Sequence, residues 1–266
     1  METLYTLEGY TFKELLGEGM YAEVYLAEKD KNSVALKVIH KGKHRKRGTM
    51  HAKKEIAALS KLGDTPGVAH MKEWKESDSL FFISLSYFRG YNLSNLPSML
   101  THNEVLCTGL SILETLKRMH QFGVYHLDIK PANVIVSRHG VHLVDFGCSV
   151  VSSEETISGS ILPYEGTPAY MAPEMIIRKS STITLPSLDV WGFGCLLYYM
   201  ASRKDAFVST SLYSLYPKIV SCKIDYTGIP LDIQHICKKI FIACPENRIG
   251  IADLITLIKE KISLCT

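Results

Sequence analysis

His126-Leu127-Asp128-Ile129-Lys130-Pro131-Ala132-Asn133 puts an acid, a cation and an amide on one short irregular segment. An aspartate there can accept or orient a proton. A lysine can neutralise developing negative charge, and an asparagine can offer an oxygen to a hard cation. Asp145-Phe146-Gly147 follows and closes the second strand of a hairpin, although a bland strand-ending turn would read the same way. Val34-Ala35-Leu36-Lys37 lies on a strand, whose alternation puts Lys37 on the face of Ala35. A lysine among apolar neighbours needs an anion, and Glu55 on the following helix can supply one; a snorkelling surface lysine is the other reading. Gly17-Glu18-Gly19-Met20-Tyr21-Ala22-Glu23-Val24 joins two strands. Glycines there let backbone approach a phosphate closely, and a plain hairpin would carry them too. A Rossmann turn is excluded, because a strand follows and not a helix.

The elements that must hold these residues can be read from pattern. Thr11–Gly17, Glu23–Glu28, Ser33–Ile39 and Leu80–Tyr87 are short apolar or β-branched runs, expected as strands. Lys53–Leu62 carries Ile56, Leu59 and Leu62 at helical spacing. After Tyr91 the pattern turns helical. Leu106, Leu110, Leu113, Leu116 and Met119 share one face. Val134–Val136 and Val141–Val144 flank Arg138-His139-Gly140 as a hairpin. Leu188–Met200 is apolar almost all round, the mark of a helix buried on every side. Ile233–Phe241 and Ile251–Ile262 are two further helical patterns. No repeat or low-complexity linker appears, so a strand-rich half and a helical half read as lobes of one unit.

Composition sets the outer limits. With 266 residues the chain can bury a sizeable core. Apolar residues at 46% and charged residues at 21% exclude a disordered, collagen-like or disulfide-scaffold chain. A net charge of +3 demands neither nucleic acid nor membrane surface. The seven cysteines are odd in number and form no C-x-x-C, which argues against a zinc or disulfide framework. Met1–Thr6 shows no apolar signal core, Glu2 excludes myristoylation, and Val190–Ala201 is too short to span a bilayer. A reduced, cytoplasmic or nuclear protein is expected.

Farther along come Gly166-Thr167-Pro168-Ala169-Tyr170-Met171-Ala172-Pro173-Glu174, then Asp189-Val190-Trp191-Gly192-Phe193-Gly194 opening the buried helix, then Arg248. In this order, with the motifs above, the sequence resembles a eukaryotic protein kinase domain of the serine/threonine type, from about Tyr10 to Ile262. The resemblance implies an α+β bilobal fold, with a small β-rich N-lobe over about 1–88, a larger helical C-lobe over about 89–266, and ATP with Mg²⁺ in the cleft. It implies that Asp128 is the base and Lys130 the charge neutraliser, with Asn133 and Asp145 as Mg²⁺ ligands. Lys37, held by Glu55, would grip the phosphates, and Thr167 would hydrogen-bond near Asp128. Nucleotide contacts are implied for Leu16, Gly17, Glu18, Gly19, Met20, Tyr21, Ala22, Glu23 and Val24, and for Ala35, Ser86, Phe88 and Ile135. Leu85–Phe88 would form the hinge, with Val24, Ala35 and Ile135 against the base. His126, Phe146 and Leu59 match a stack that links the lobes, and Glu174 and Arg248 a buried ion pair. Lys130-Pro131 and Gly166-Thr167-Pro168 point to Ser/Thr acceptors on protein substrates.

Two positions depart from the family pattern. Ala22 stands where a third glycine is usual, a replaceable one. Leu127 stands where most members carry arginine. A phosphate on the activation segment would lose its main charged partner, so activity is expected to depend only weakly on phosphorylation at Ser158, Ser160 or Thr167. Cys148, next to the D-F-G triplet, reads as a mildly reactive thiol or, more simply, a small buried filler. The run Lys41–Arg47 reads as a solvated loop or as a dock for an acidic or phosphorylated partner.

Phe81–Tyr87 and Lys218–Tyr226 resemble the phosphoinositide-dependent protein kinases of the AGC group, whereas Leu127 does not. Two rival functions stay open: a pseudokinase acting as a nucleotide-binding scaffold, and a kinase fold acting on a small molecule or lipid. Lys37, Glu55, Asp128, Asn133 and Asp145 argue against the first, and Gly166–Glu174 against the second.

Overall fold

In the computed structural model, which describes residues 5–41, 45–162, 164–178 and 182–264, the first half of the sequence pattern becomes one antiparallel sheet and a helix. The strands are β1 (Thr11–Glu18), β2 (Ala22–Lys29), β3 (Asn32–His40), β4 (Met71–Glu76) and β5 (Leu80–Ser86), with α1 (Arg45–Leu62) between β3 and β4. Their order across the sheet is β1-β2-β3-β5-β4, which makes β3 central. The alternation on β3 explains the layering. Val34, Leu36 and Val38 join Ala27 and Phe82 in a small outer core. Ile39, from the other face, belongs to the main core with Ala52, Leu59 and Leu62 of α1. Lys37 is on that inner face, opposite Val24 of β2 and Ile83 of β5.

The remaining elements make the helical half. They are β6 (Gly90–Asn92), α2 (His102–Gln121), β7 (Val124–Tyr125), β8 (Val134–Ser137), β9 (Gly140–Leu143), β10 (Val150–Val151), β11 (Thr156–Ser158), α3 (Pro173–Ile177), β12 (Thr182–Thr184), α4 (Leu185–Ser202), α5 (Leu212–Val220), α6 (Leu231–Ile240) and α7 (Ile251–Ser263). α2 starts at a capping box, in which the Thr101 hydroxyl and the Glu104 carboxylate satisfy each other's backbone N–H groups. Its buried stripe of Leu106, Leu113, Leu116 and Met119 packs into the main core. The fold is thus α+β, a β-rich small lobe followed by a helical large lobe.

Three expectations need adjusting. α1 begins at Arg45 and not Lys53, because its first turns are basic and carry no apolar periodicity. Asp189 lies a turn inside α4 and does not open it. Asp145 lies beyond the end of β9, in the left-handed region with φ 65°, so it does not close a strand. The pattern also passed over β4, whose residues are mostly charged, and α5, whose interior Pro217 argues against a helix.

Candidate active site

α1 is amphipathic, with an acid in its apolar stripe. Glu55 is fully buried between Ala52 and Leu59. An uncompensated carboxylate there would be costly, and Lys37 reaches it across the sheet, Nζ to Oε2 at 2.6 Å. The same ammonium donates to Asp145 Oδ1 at 2.8 Å. Burial works against the Lys37 charge, but the carboxylates of Asp145 and Glu55 outweigh it and raise the pKa above the ordinary lysine value. Burial likewise works against the Asp145 carboxylate, and Lys37 more than reverses that, holding it well below the usual carboxylate range. Glu55 is pushed up by burial in spite of Lys37. The Asp145 side chain remains 46% exposed, so this charged pair opens onto the cleft.

The segment after β7 is held from beneath. Asp189, fully buried on α4, accepts the backbone N–H groups of His126 at 2.9 Å and Leu127 at 2.8 Å. Its Oδ2 also lies 2.8 Å from His120 Nε2. Burial opposes ionisation of Asp189, but these partners lower its pKa overall. Leu127 has φ 62°, a conformation that an apolar side chain rarely takes. The two N–H groups gripped by one carboxylate fix that turn, and with it the direction of Asp128.

Asp128 is the hub of the next layer. Its Oδ1 accepts the Thr167 N–H at 2.9 Å, and its Oδ2 lies 2.7 Å from Lys130 Nζ. Asn133 Nδ2 donates to the Asp128 backbone oxygen at 2.9 Å and to Oδ2 at 3.1 Å, which commits the amide nitrogen and leaves the amide oxygen as the atom that could serve a cation. The Thr167 hydroxyl accepts from Lys130 Nζ at 2.7 Å, so its contact with Asp128 runs through the backbone N–H. The His126 and Phe146 rings are 4.8 Å apart, with Phe146 fully buried and Leu59 2% exposed.

The glycine turn is looser. Gly19 N–H donates to Ala22 O at 2.8 Å, and a Cβ there would touch that oxygen at 3.7 Å, whereas a side chain at Gly17 would meet nothing within 4 Å. Met20 is 79% exposed, while Tyr21 stacks on His51 of α1 at 5.0 Å between centroids. Val24, Ala35 and Ile135 are half-buried. Leu16 is 41% exposed, Glu18 is exposed, and Ser86 ends β5. Phe88 stacks face to face on His142 at 3.6 Å. Glu23 pairs in register with Val38, on the outer face, and its carboxylate accepts from Tyr5 and Tyr25 there, not in the cleft.

Deeper in the large lobe, Arg248 grips Glu174 with two parallel bonds of 2.7 and 3.0 Å. Their side chains are 1% and 2% exposed. Cys148 is half-buried, and burial pushes its thiol up to about 12, which fits the filler reading. Of the basic run, Gly42, Lys43 and His44 lie outside the described residues; Lys41 donates to Glu76 and to the Ser77 backbone. Sequence reasoning missed the work of Asp189 and His120. The available signal was Asp189 itself, the one acid within an otherwise apolar helix.

An oxygen-rich pair (Asp145 and Asn133) beside a lysine, facing a carboxylate in a loop, is a donor set suited to a hard divalent cation and a polyphosphate. The family described as protein kinase domain matches residues 10–257. CBL-interacting serine/threonine-protein kinase 19 of Arabidopsis thaliana is 30% identical over 258 residues, 92% of this chain and 52% of that protein. CBL-interacting serine/threonine-protein kinase 12 of the same plant is 32% identical over 252 residues, 92% of this chain and 51% of its own length. Serine/threonine-protein kinase PKH2 of Candida albicans is 31% identical over 263 residues, 92% of this chain and 27% of its own length. The chain spans about half or less of these curated relatives, and they do not single out the AGC group. Among the described residues, no helix is long and apolar enough to cross a membrane.

Proposed function

This chain belongs to the protein kinase family, and from that premise we propose that it transfers the γ-phosphoryl group of Mg-ATP to serine and threonine hydroxyls of protein substrates. The observation that carries this reading is Lys37 bridging Glu55 and Asp145, at 2.6 and 2.8 Å, in a cleft also bordered by Asp128. A structural lysine would need only one of the two acids. An ammonium poised between a buried acid and a half-exposed one is placed to exchange the second for phosphate oxygens.

Mg²⁺ would be held by Asp145 and Asn133, and would neutralise charge on the phosphates. Lys37 would grip the α- and β-phosphates, with Glu55 fixing its reach. The backbone from Leu16 to Val24 would cover them, and Val24, Ala35 and Ile135 would enclose the base beside Ser86 and Phe88. Asp128 would take or orient the acceptor hydroxyl proton. Lys130, already 2.7 Å from the Thr167 hydroxyl and from Asp128, would stabilise the charge on the phosphoryl group in flight. We take residues 10–262 as one catalytic unit, and an ATP-using enzyme of this kind belongs in the cytoplasm or nucleus. Leu127 removes the usual phosphate partner, so transfer should depend weakly on activation-segment phosphorylation.

A scaffold that binds nucleotide without transfer is the alternative, and the intact acid–lysine–acid bridge disfavours it. The test offers labelled Mg-ATP with a Ser/Thr/Tyr peptide library beside small-molecule and lipid acceptors. Label on Ser/Thr peptides alone supports the proposal. Label on the small molecules alone, or nucleotide binding with no transfer, overturns it.

A further inference from the structure

The activation segment of this protein is tied to α1 by a carboxylate that needs no modification. Lys54 Nζ donates to Glu165 Oε2 at 2.5 Å, and the two side chains are only 19% and 17% exposed. This is not an ordinary surface pair, whose worth is usually negligible. Around it, ligand-type atoms of His51, Cys148 and Glu165 lie within 4.8 Å of one another, so α1, the residue after D-F-G and the activation segment meet at one point.

What stands next to each partner gives the pair its meaning. Lys54 is followed by Glu55, the acid that holds Lys37. Glu165 is followed by Gly166 and Thr167, whose N–H donates to Asp128 Oδ1 at 2.9 Å. Gly166 has φ 108°, and a Cβ there would lie 3.2 Å from the Leu127 oxygen, so this turn is tightly seated on the catalytic loop. One ion pair therefore joins the element that positions the phosphate-gripping lysine to the one that positions the base. The apolar Leu127 packs against the main core and offers no cation to this segment.

Resting on the kinase reading above, we propose that Glu165 is a built-in anchor. Its fixed charge, taken by Lys54, seats the activation segment as an added phosphate paired with a cation would. Glu165 and Lys54 are positioning residues and act through Thr167 and Glu55. Ser158 and Ser160, exposed and hydrogen-bonded to each other at 2.8 Å, are then dispensable.

The test uses the full chain treated with phosphatase, with peptide phosphorylation and amide hydrogen exchange as separate readouts. Glu165→Gln keeps shape and removes charge. It should lower kcat about tenfold, within the ordinary span of coupling between sites, with little change in peptide KM. It should also speed exchange in α1 and in the segment before Thr167. Lys54→Glu should do the same, and Lys54→Glu combined with Glu165→Lys should recover most of both. Ser158→Ala with Ser160→Ala should leave kcat unchanged. Unchanged kcat and exchange in Glu165→Gln, no recovery in the swapped pair, or a wild type that transfers only after phosphorylation would each overturn the anchor. Absence of transfer by any wild-type preparation would instead count against the kinase reading on which it rests.

Discussion

Lys37 Nζ and Asp145 Oδ1 meet at 2.8 Å although 108 residues separate them. The strand that carries the lysine and the loop that carries the acid belong to different lobes, so this contact measures how the lobes are set. Glu55 locks the lysine from behind. Arginine keeps the charge, but its planar fork cannot reproduce a compact ammonium between two carboxylates. Lys37→Arg should therefore stay folded and lose about 10²–10³-fold in kcat. Peptide transfer and circular dichroism, run in parallel, check both halves.

The carboxylate of Asp189 links stability to pH. Its pKa is lowered in the folded chain, burial being outweighed by His120 and by the backbone N–H of Leu127. A lowered folded pKa contributes stability that is complete above the unfolded value of about 3.9. That contribution is lost as pH falls from there through the lower folded value. Asp145 acts in the same direction, through Lys37. Urea midpoints should drop for wild type between about pH 5 and about pH 3. Asp189→Asn should be less stable near neutrality, and its deficit should shrink over that interval. A deficit that does not change with pH would contradict the assignment.

Arg248 and Glu174 make a pair whose value lies in its completeness. Arg248 also donates to the Ile242 and Ser187 backbone oxygens, and lies over the Trp191 ring at 4.8 Å. Arg248→Met strands a buried carboxylate and should cost about 3–5 kcal/mol in denaturant unfolding. Replacing both residues by apolar side chains of similar volume should cost clearly less.

Cys148 should be slow to alkylate. Burial has pushed its thiol up to about 12, and the thiolate is the reactive form. Cys107 and Cys244 are exposed. Mass mapping after brief iodoacetamide treatment at neutral pH should find label on those two before Cys148.

The residues to which we assign the local chemistry could be read in the sequence because their neighbours announce them. Strand alternation put Lys37 on the inner face, and the glycine turn, the His126–Asn133 segment and D-F-G fell between elements with clear periods. Glu55 stood out as the acid on α1. What holds the site together was hidden because it depends on distance in the fold. Asp189 reaches Leu127 across 62 positions, and Lys54 reaches Glu165 across 111. No spacing rule connects such pairs. The outer-face bonds of Glu23 to Tyr5 and Tyr25 were equally invisible from a motif that assigns the whole turn to the nucleotide. β4 and α5 were missed because charge and Pro217 mask their periods.

The central claim is that Asp128 and Asp145 serve phosphoryl transfer. The most direct measurement is the rate of labelled phosphate transfer from Mg-ATP to a Ser/Thr peptide by wild type, Asp128→Asn and Asp145→Asn. The account predicts transfer by wild type, a loss of about 10²–10⁴-fold in Asp128→Asn with nucleotide binding retained, and loss in Asp145→Asn with weakened Mg²⁺ dependence. Equal rates in all three proteins, or nucleotide binding with no wild-type transfer, would contradict it.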